Sequence, residues 1–180
     1  MPSVGTDHSR LVVLRGNSAS GKSASAQEIR ARYGRGIAIV GQDNLRRIVL
    51  KEPDRSDGVN IGLIDVTARY ALDHGYHVIV EGILNRDHYG AMLLQLGNDH
   101  RGKTSYFYFD VSFEETLRRH QSKPQATEYG EAEMRSWYRP QDYLAGEVEH
   151  IIPEETSLED AVALIMNEVG LAPRVLAAGS

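Results

Sequence analysis

Short apolar runs alternate with amphipathic stretches along the chain. Leu11-Val12-Val13-Leu14, Ile37-Ala38-Ile39-Val40 and His77-Val78-Ile79-Val80 show no helical period and read as buried parallel strands. Thr104 to Phe109 reads as a fourth strand, and His150-Ile151-Ile152-Pro153 as a short fifth. The stretches between them predict helices. Ser23 to Tyr33 is closed by Gly34 and Gly36, and Asp43 to Leu50 is short. Val59 to His74 sets Ile61, Ile64, Ala68 and Ala71/Leu72 on one face ahead of Gly75, a helix-ending residue. Arg86 to Leu96, Phe113 to His120, Glu131 to Tyr138 and Leu158 to Val169 complete the set, the last with Ser157 as its N-cap. Pro53 to Gly58 is a breaker-rich loop. Strands alternating with helices predict an α/β fold, a parallel sheet covered on both faces and wound right-handed. One domain is expected across residues 1–180, with a frayed tail from 171 to 180.

Composition narrows the function classes. Twenty Lys and Arg against 25 Asp and Glu give a net charge of −5, which argues against nucleic acid or an anionic membrane as the main partner. No apolar stretch approaches the ~18 residues of a membrane span. Met1 to Arg10 is polar and lacks the apolar core of a signal peptide. With no cysteine, disulfides, zinc-thiolate sites and thiol catalysis are all excluded. The seven histidines follow no metal-ligand spacing. The expectation is a cytoplasmic enzyme or binding domain.

Gly16-Asn17-Ser18-Ala19-Ser20-Gly21-Lys22-Ser23 fits G-x-x-x-x-G-K-[S/T], directly after a predicted strand and at the start of a predicted helix. Glycines let the backbone curl so that successive N–H groups face one concave nest for phosphate. The helix N-terminus adds its positive dipole end, Lys22 reaches the β/γ-phosphates, and Ser23 offers a hydroxyl to Mg²⁺. Chance predicts only about 0.004 such matches in a chain of this composition, so a plain Gly/Ser turn is a poor account.

Ligands of parallel sheets bind at the carboxyl ends of the strands. Asp43 lies three residues past Val40. There it can either accept the proton of an attacking hydroxyl or merely cap the helix that follows, and position alone does not separate the two. Arg46 shares its helical face and suits an anionic part of an acceptor, whereas Arg47 reads as exposed. Glu81 ends Val78-Ile79-Val80, a Walker B-like run, and fits a metal-bound water or an acceptor hydroxyl. From Phe113 to Tyr143, Arg118, Arg119, Arg135 and Arg139 suggest a lid that neutralises charge over a triphosphate. Solvated i,i+4 pairs with Glu114, Glu115 and Glu131 are the plainer explanation of the same residues. Arg119 and Arg135 are the favoured pair. Lys51 to Gly62 is expected to help line the acceptor pocket.

The phosphate loop, Asp43-Asn44-Leu45-Arg46, Val78 to Gly82 and the arginine-bearing stretch through Arg139-Pro140 together make the chain resemble the zeta-toxin and chloramphenicol-phosphotransferase-like branch of small P-loop kinases. These are relatives of polynucleotide kinase domains. The resemblance covers about residues 10–170. It implies a five-stranded sheet of order 2-3-1-4-5 with a lid at about 113–143, as in nucleoside monophosphate kinases. It also implies Asp43 as general base, Lys22 as phosphate clamp, Ser23 as Mg²⁺ ligand and Glu81 as an acceptor or metal-water contact. Arg119 and Arg135 become the lid arginines, with Arg118 and Arg139 as the alternative register. The expected activity is transfer of a γ-phosphate from ATP or GTP to a hydroxyl of a small molecule, including an antibiotic or nucleoside-type compound. A polynucleotide 5′-kinase and a nucleoside monophosphate kinase are the alternatives within the class. A nucleotide-gated toxin or switch protein is the alternative outside it.

Overall fold

In the computed structural model, which describes residues 3–121 and 129–173, the apolar runs form five strands. These are β1 (Arg10–Gly16), β2 (Ile37–Gly41), β3 (His77–Gly82), β4 (Lys103–Asp110) and β5 (Glu149–Pro153). All pair in parallel, in the order β2-β3-β1-β4-β5 that the resemblance implies. The helices are α1 (Lys22–Tyr33), α2 (Val59–Asp73), α3 (Arg86–Asp99), α4 (Phe113–Gln121), α5 (Glu131–Trp137) and α6 (Leu158–Val169). Among the described residues no helix is long and apolar enough to cross a membrane.

Strand alternation divides the core between the two faces of the sheet. Val12 and Leu14 of β1 pack with Ile29 of α1 and with Val162 and Ile165 of α6. Leu11 and Val13 point the other way, to Ile64, Ala68 and Leu72 of α2 and Leu93 and Leu96 of α3. All of these are inaccessible to solvent, so truncating any of the leucines or isoleucines to alanine would cost about 2–5 kcal/mol. The chain leaves β1 through α1 and passes over β3 to reach β2. This opens a crevice beyond the carboxyl ends of β1 and β3, where such sheets bind their ligands.

Three departures from the sequence reading matter. The turn after β2 winds as a π-helix over Asn44–Val49, closed by Leu50 N–H donating to Leu45 O at 3.0 Å, rather than as an α-helix. The buried face of α2 includes Asn60, fully enclosed because Glu52 and Tyr89 satisfy its amide, while Ile61 is only half-buried. The tail does not fray at 171. Gly170 is left-handed, Leu171 N–H donates to Met166 O at 2.9 Å, and the Leu171 side chain enters the core. Residues 174–180, and Ser122–Glu128 within the expected lid, lie outside the described residues.

Candidate active site

The phosphate loop closes tightly around itself. Gly16 adopts φ +141°, and a Cβ there would lie 2.6 Å from the Phe109 carbonyl oxygen, so only glycine fits. Ala19 and Gly21 are also left-handed, at φ +58° and +110°. Gly21 caps α1 without any side-chain bond, so no side chain from the cap competes for the first-turn N–H groups at the phosphate position. Lys22 is 6% exposed and donates from Nζ to Asn17 O at 2.7 Å and Ser20 Oγ at 3.0 Å. Asn17 clasps the backbone of Arg139 from both sides, donating to its carbonyl at 2.8 Å and accepting from its N–H at 2.9 Å. Ser18 Oγ lies 3.2 Å from Tyr129 OH. The returning segment after α4 therefore docks directly on the loop.

Ser23, in the first turn of α1, donates from Oγ to Glu81 Oε2 at 2.8 Å, which joins the loop to the end of β3. A hydroxyl and a carboxylate facing one another form an all-oxygen donor pair, as Mg²⁺ prefers. Among the described residues no group of three or more His, Cys, Asp or Glu gathers to form a protein cage. The residues present fit the ion.

Asp43 follows β2 and sits at the head of the π-helical turn, yet its side chain makes no capping bond. It is 70% exposed, with Arg46 Nη2 at 3.3 Å and Arg47 Nη1 at 4.0 Å. Among the described residues Arg46 Nε is buried without a hydrogen-bond partner. Both arginines and Asp43 line a cleft of about 380 Å³ that also takes in Ser18 of the phosphate loop and Arg139, Tyr129 and Trp137 of the returning segment. Arg47 is exposed, as expected, and also lines this cleft. Pro53 and Asp54 line it too, within the Lys51–Gly62 stretch.

The arginines divide. Arg119 donates to Glu115 Oε1 at 2.6 Å, Ser20 O at 3.1 Å and Glu154 O at 2.7 Å, tying α4 to the phosphate loop and to the end of β5. It lines a second cleft of about 270 Å³ between Gly21, Arg118, Pro153 and Ser157. The bonds from Arg118 and Arg119 hold the Glu115 carboxyl down at about 2. Arg118 itself is 72% exposed. Arg135, the other member of the favoured pair, lines neither of these two clefts. Its guanidinium is held 2.8 Å from Glu131 and 4.1 Å from the centre of the Phe113 ring, with the side chain 64% exposed.

Several functional neighbours carry little sequence signal. Arg15 is fully buried and donates to Leu84 O, Asp142 and Glu149 at 2.8–2.9 Å. A charged residue closing an otherwise apolar strand was its one visible sign. Gln42 Oε1 accepts from Leu84 N–H at 3.0 Å and staples the end of β2 to the loop after β3. Gly82 leaves room for it, since a Cβ there would come within 2.5 Å of that oxygen. Tyr89 OH donates to Asp54 Oδ1 at 2.8 Å and to Asn60 Oδ1 at 2.9 Å, one proton shared between two acceptors. Burial, helped by the Asp54 carboxylate, pushes that hydroxyl well above the usual phenol range. None of these pairings follows a spacing rule, because each joins residues from different elements.

The family model described as "AAA domain" matches residues 11–145, and the chain belongs to that family. No functionally curated protein matches the sequence. Among solved structures, the chain is similar to the APS kinase of Mycobacterium tuberculosis in complex with AMPPNP and APS. They share 18% identity at a TM-score of 0.68, over 92% of this chain and 98% of that one. It is also similar to the tunicamycin resistance protein of Deinococcus radiodurans, with 16% identity, a TM-score of 0.62, and 93% and 100% of the two chains covered. For a gluconokinase from Sinorhizobium meliloti the values are 16% and 0.58, over 94% and 96%. At these identities the likeness establishes the fold.

Proposed function

We propose, for this member of the AAA-domain family, an ATP- or GTP-dependent phosphotransferase that moves the γ-phosphate to a hydroxyl of a small molecule. One observation carries the reading. The Asp43 carboxylate is not consumed by a helix cap and faces the same cleft as the phosphate loop. A base so placed takes the proton of the acceptor hydroxyl as its oxygen bonds to the γ-phosphorus. The bond from that phosphorus to the β,γ-bridging oxygen breaks, and the nucleoside diphosphate leaves.

Each neighbour has a part. Lys22 and the backbone N–H groups from Gly16 to Ser23 hold the β- and γ-phosphates, and the second cleft takes the base and ribose. Arg119 sits at that nucleotide end. Arg139 is better placed than Arg135 to face developing charge, because it lines the acceptor cleft. Arg135 would join only if α5 moved inward. Arg46 orients Asp43 and faces the acceptor. Ser23 and Glu81 are the residues to hold Mg²⁺, which when bound supplies charge neutralisation across the phosphates.

The zeta-toxin and chloramphenicol-phosphotransferase-like branch fits this arrangement, with one domain carrying the site and a lid at about 113–143. The likeness to a tunicamycin resistance protein brings antibiotic acceptors into the class to be tried. A cytoplasmic setting would supply both nucleotide and Mg²⁺.

The test is a mass-spectrometric search for compounds that gain one phosphate only with protein and Mg²⁺-nucleotide, followed by kinetics. Asp43→Asn should lower kcat by about 10²–10⁴ with nucleotide binding retained. Transfer within threefold of wild type would remove Asp43 as the base, and absence of any phosphorylated product would remove the kinase reading.

A further inference from the structure

Beyond Asp43 and Arg46, the same cleft has a wall with no part in the phosphoryl transfer just described. Asp54, in the loop before α2, and His88, on the first turn of α3, both line it. Their side chains are 30% and 22% exposed, and His88 Nδ1 lies 3.2 Å from Asp54 Oδ1. Tyr89 OH donates to that same oxygen at 2.8 Å, and Tyr89 is itself fixed by the buried Asn60. Asn85 caps α3 by accepting from His88 N–H at 3.0 Å, which sets the start of the helix carrying the ring.

These bonds define what the wall offers a ligand. A carboxylate oxygen only accepts, so the contact with Asp54 calls for a proton on His88 Nδ1, and whenever the ring carries that proton alone Nε2 is an acceptor. The Asn85 amide nitrogen is also 3.2 Å from Nδ1, but the charge-assisted bond to the carboxylate is the stronger of the two. Asp54 Oδ1 is already taken by Tyr89 and His88. Among the described residues neither Asp54 Oδ2 nor His88 Nε2 has a hydrogen-bond partner. Asp54 and His88 thus each keep an open polar atom, and Tyr89 and Asn60 brace Asp54 from behind without lining the cleft. Trp137, 39% exposed and braced edge-on by Tyr129 at 5.1 Å, adds an aromatic surface to the same cleft.

We infer that Asp54 and His88 select the acceptor, binding the hydroxyls of a neutral, polyhydroxylated compound through Asp54 Oδ2 and His88 Nε2 while another hydroxyl of that compound meets Asp43. Two acceptors call for two donors, and the hydroxyls of a polyol supply them. An anionic end would lie against the Asp54 carboxylate. A cationic end would share the cleft with Arg46, Arg47 and Arg139. Hydroxyls avoid both conflicts. The Trp137 face suits the C–H surface of a ring that carries them. Asp54 and His88 contact the bound acceptor but no reacting atom, and Tyr89 is a positioning residue behind them.

This inference rests on the kinase reading, and its test separates the two. The probes are nucleosides, hexoses and hexitols, their singly deoxygenated and aminodeoxy analogues, and a set of hydroxy acids and nucleoside monophosphates, each with Mg²⁺-ATP. A neutral polyol should be the preferred acceptor, and removing the hydroxyl read by the wall should lower kcat/KM at least about 10²-fold. Asp54→Asn and His88→Ala should raise the acceptor KM about 10-fold or more, with kcat and the nucleotide KM within threefold. Both should also shrink the discrimination against the deoxy analogue. Tyr89→Phe, which leaves the cleft lining intact, should give a smaller change in the same direction.

Preference for an anionic or aminated acceptor would overturn the inference and leave the kinase reading standing. So would full discrimination retained in folded Asp54→Asn and His88→Ala proteins. If no hydroxyl compound of any charge is phosphorylated, both fall.

Discussion

The two ends of the proposed site, one for the nucleotide and one for the acceptor, are built differently. At the nucleotide end the side chains are bonded into the protein before any ligand arrives. Lys22 is held by Asn17 and Ser20, Ser23 by Glu81, and Asn17 by both polar groups of the Arg139 backbone. At the acceptor end the groups are left open. Asp43 is mostly exposed with only long contacts to arginines, and neither Asp54 Oδ2 nor His88 Nε2 has a partner among the described residues. A phosphate nest serves one ligand shape and gains from being fixed in advance, because its dipoles then need no reorganisation during transfer. An acceptor wall gains from groups that only the correct compound satisfies, since a mismatched compound leaves them desolvated and unpaired.

The harshest way to break this contrast is through Arg15, which lies under both ends. Its guanidinium holds the loop after β3 through Leu84 O, the returning segment through Asp142 and the start of β5 through Glu149. Arg15→Met would strand Glu149, whose side chain is 2% exposed, without its cation. Unfolding in urea should show a loss of about 3–5 kcal/mol, the cost of breaking a buried ion pair from one side. A loss below about 1 kcal/mol would mean that Asp142 and Glu149 find water or other donors, and that Arg15 does not brace the site.

A gentler test contrasts two arginines of the lid region. Arg119 carries three bonds at the nucleotide end, so Arg119→Ala should raise the ATP KM about 10–100-fold by freeing α4 from Ser20 O and Glu154 O. Arg135 is 64% exposed and paired with Glu131, and surface pairs of this kind contribute little. Arg135→Ala should change kcat and both KM values less than about threefold. If Arg135→Ala instead turned over about a hundredfold more slowly, α5 would have to swing inward during the reaction and carry the arginine to the phosphates.

What the chain reveals on reading follows the same division. The fold and the phosphate nest depend on residues close in sequence: an apolar run, two glycines, a lysine and a helix start, each with its own steric or electrostatic reason. Strand assignments, Ser157 as N-cap and the loop Gly16–Ser23 were therefore legible. The arrangement of the acceptor wall was not. Asp54 and His88 are 34 positions apart and meet only because α3 packs beside the loop before α2. Arg15 and Asp142 are 127 apart. Arg135 is ambiguous for the converse reason. Its spacing from Glu131 admits both a catalytic and a solvated reading, and its contacts with Glu131 and the Phe113 ring are what the Arg135→Ala variant would weigh. Asp43 had also admitted a capping role, and the π-helical winding after it leaves the carboxylate without one.

The smallest expected effect is one of pH, at the nucleotide end. Arg118 and Arg119 hold the Glu115 carboxyl at about 2, against 4.5 for the free group. A carboxyl depressed in the folded protein contributes stability that is fully present above the unfolded value. That stability is lost as pH falls from about 4.5 through about 2. Glu115→Gln removes this proton linkage, so its Tm should lie slightly below wild type near neutral pH and converge on it through that acid window. Because Arg119 would lose its anchor on α4, the nucleotide KM should rise in Glu115→Gln while the acceptor KM stays put. A Tm difference that persists unchanged to the bottom of the window would mean the bonds from Arg118 and Arg119 do not favour the ionised form. An equal rise in both KM values would mean the two ends of the site are mechanically coupled through α4, and the contrast between a fixed nucleotide end and an open acceptor end would no longer hold.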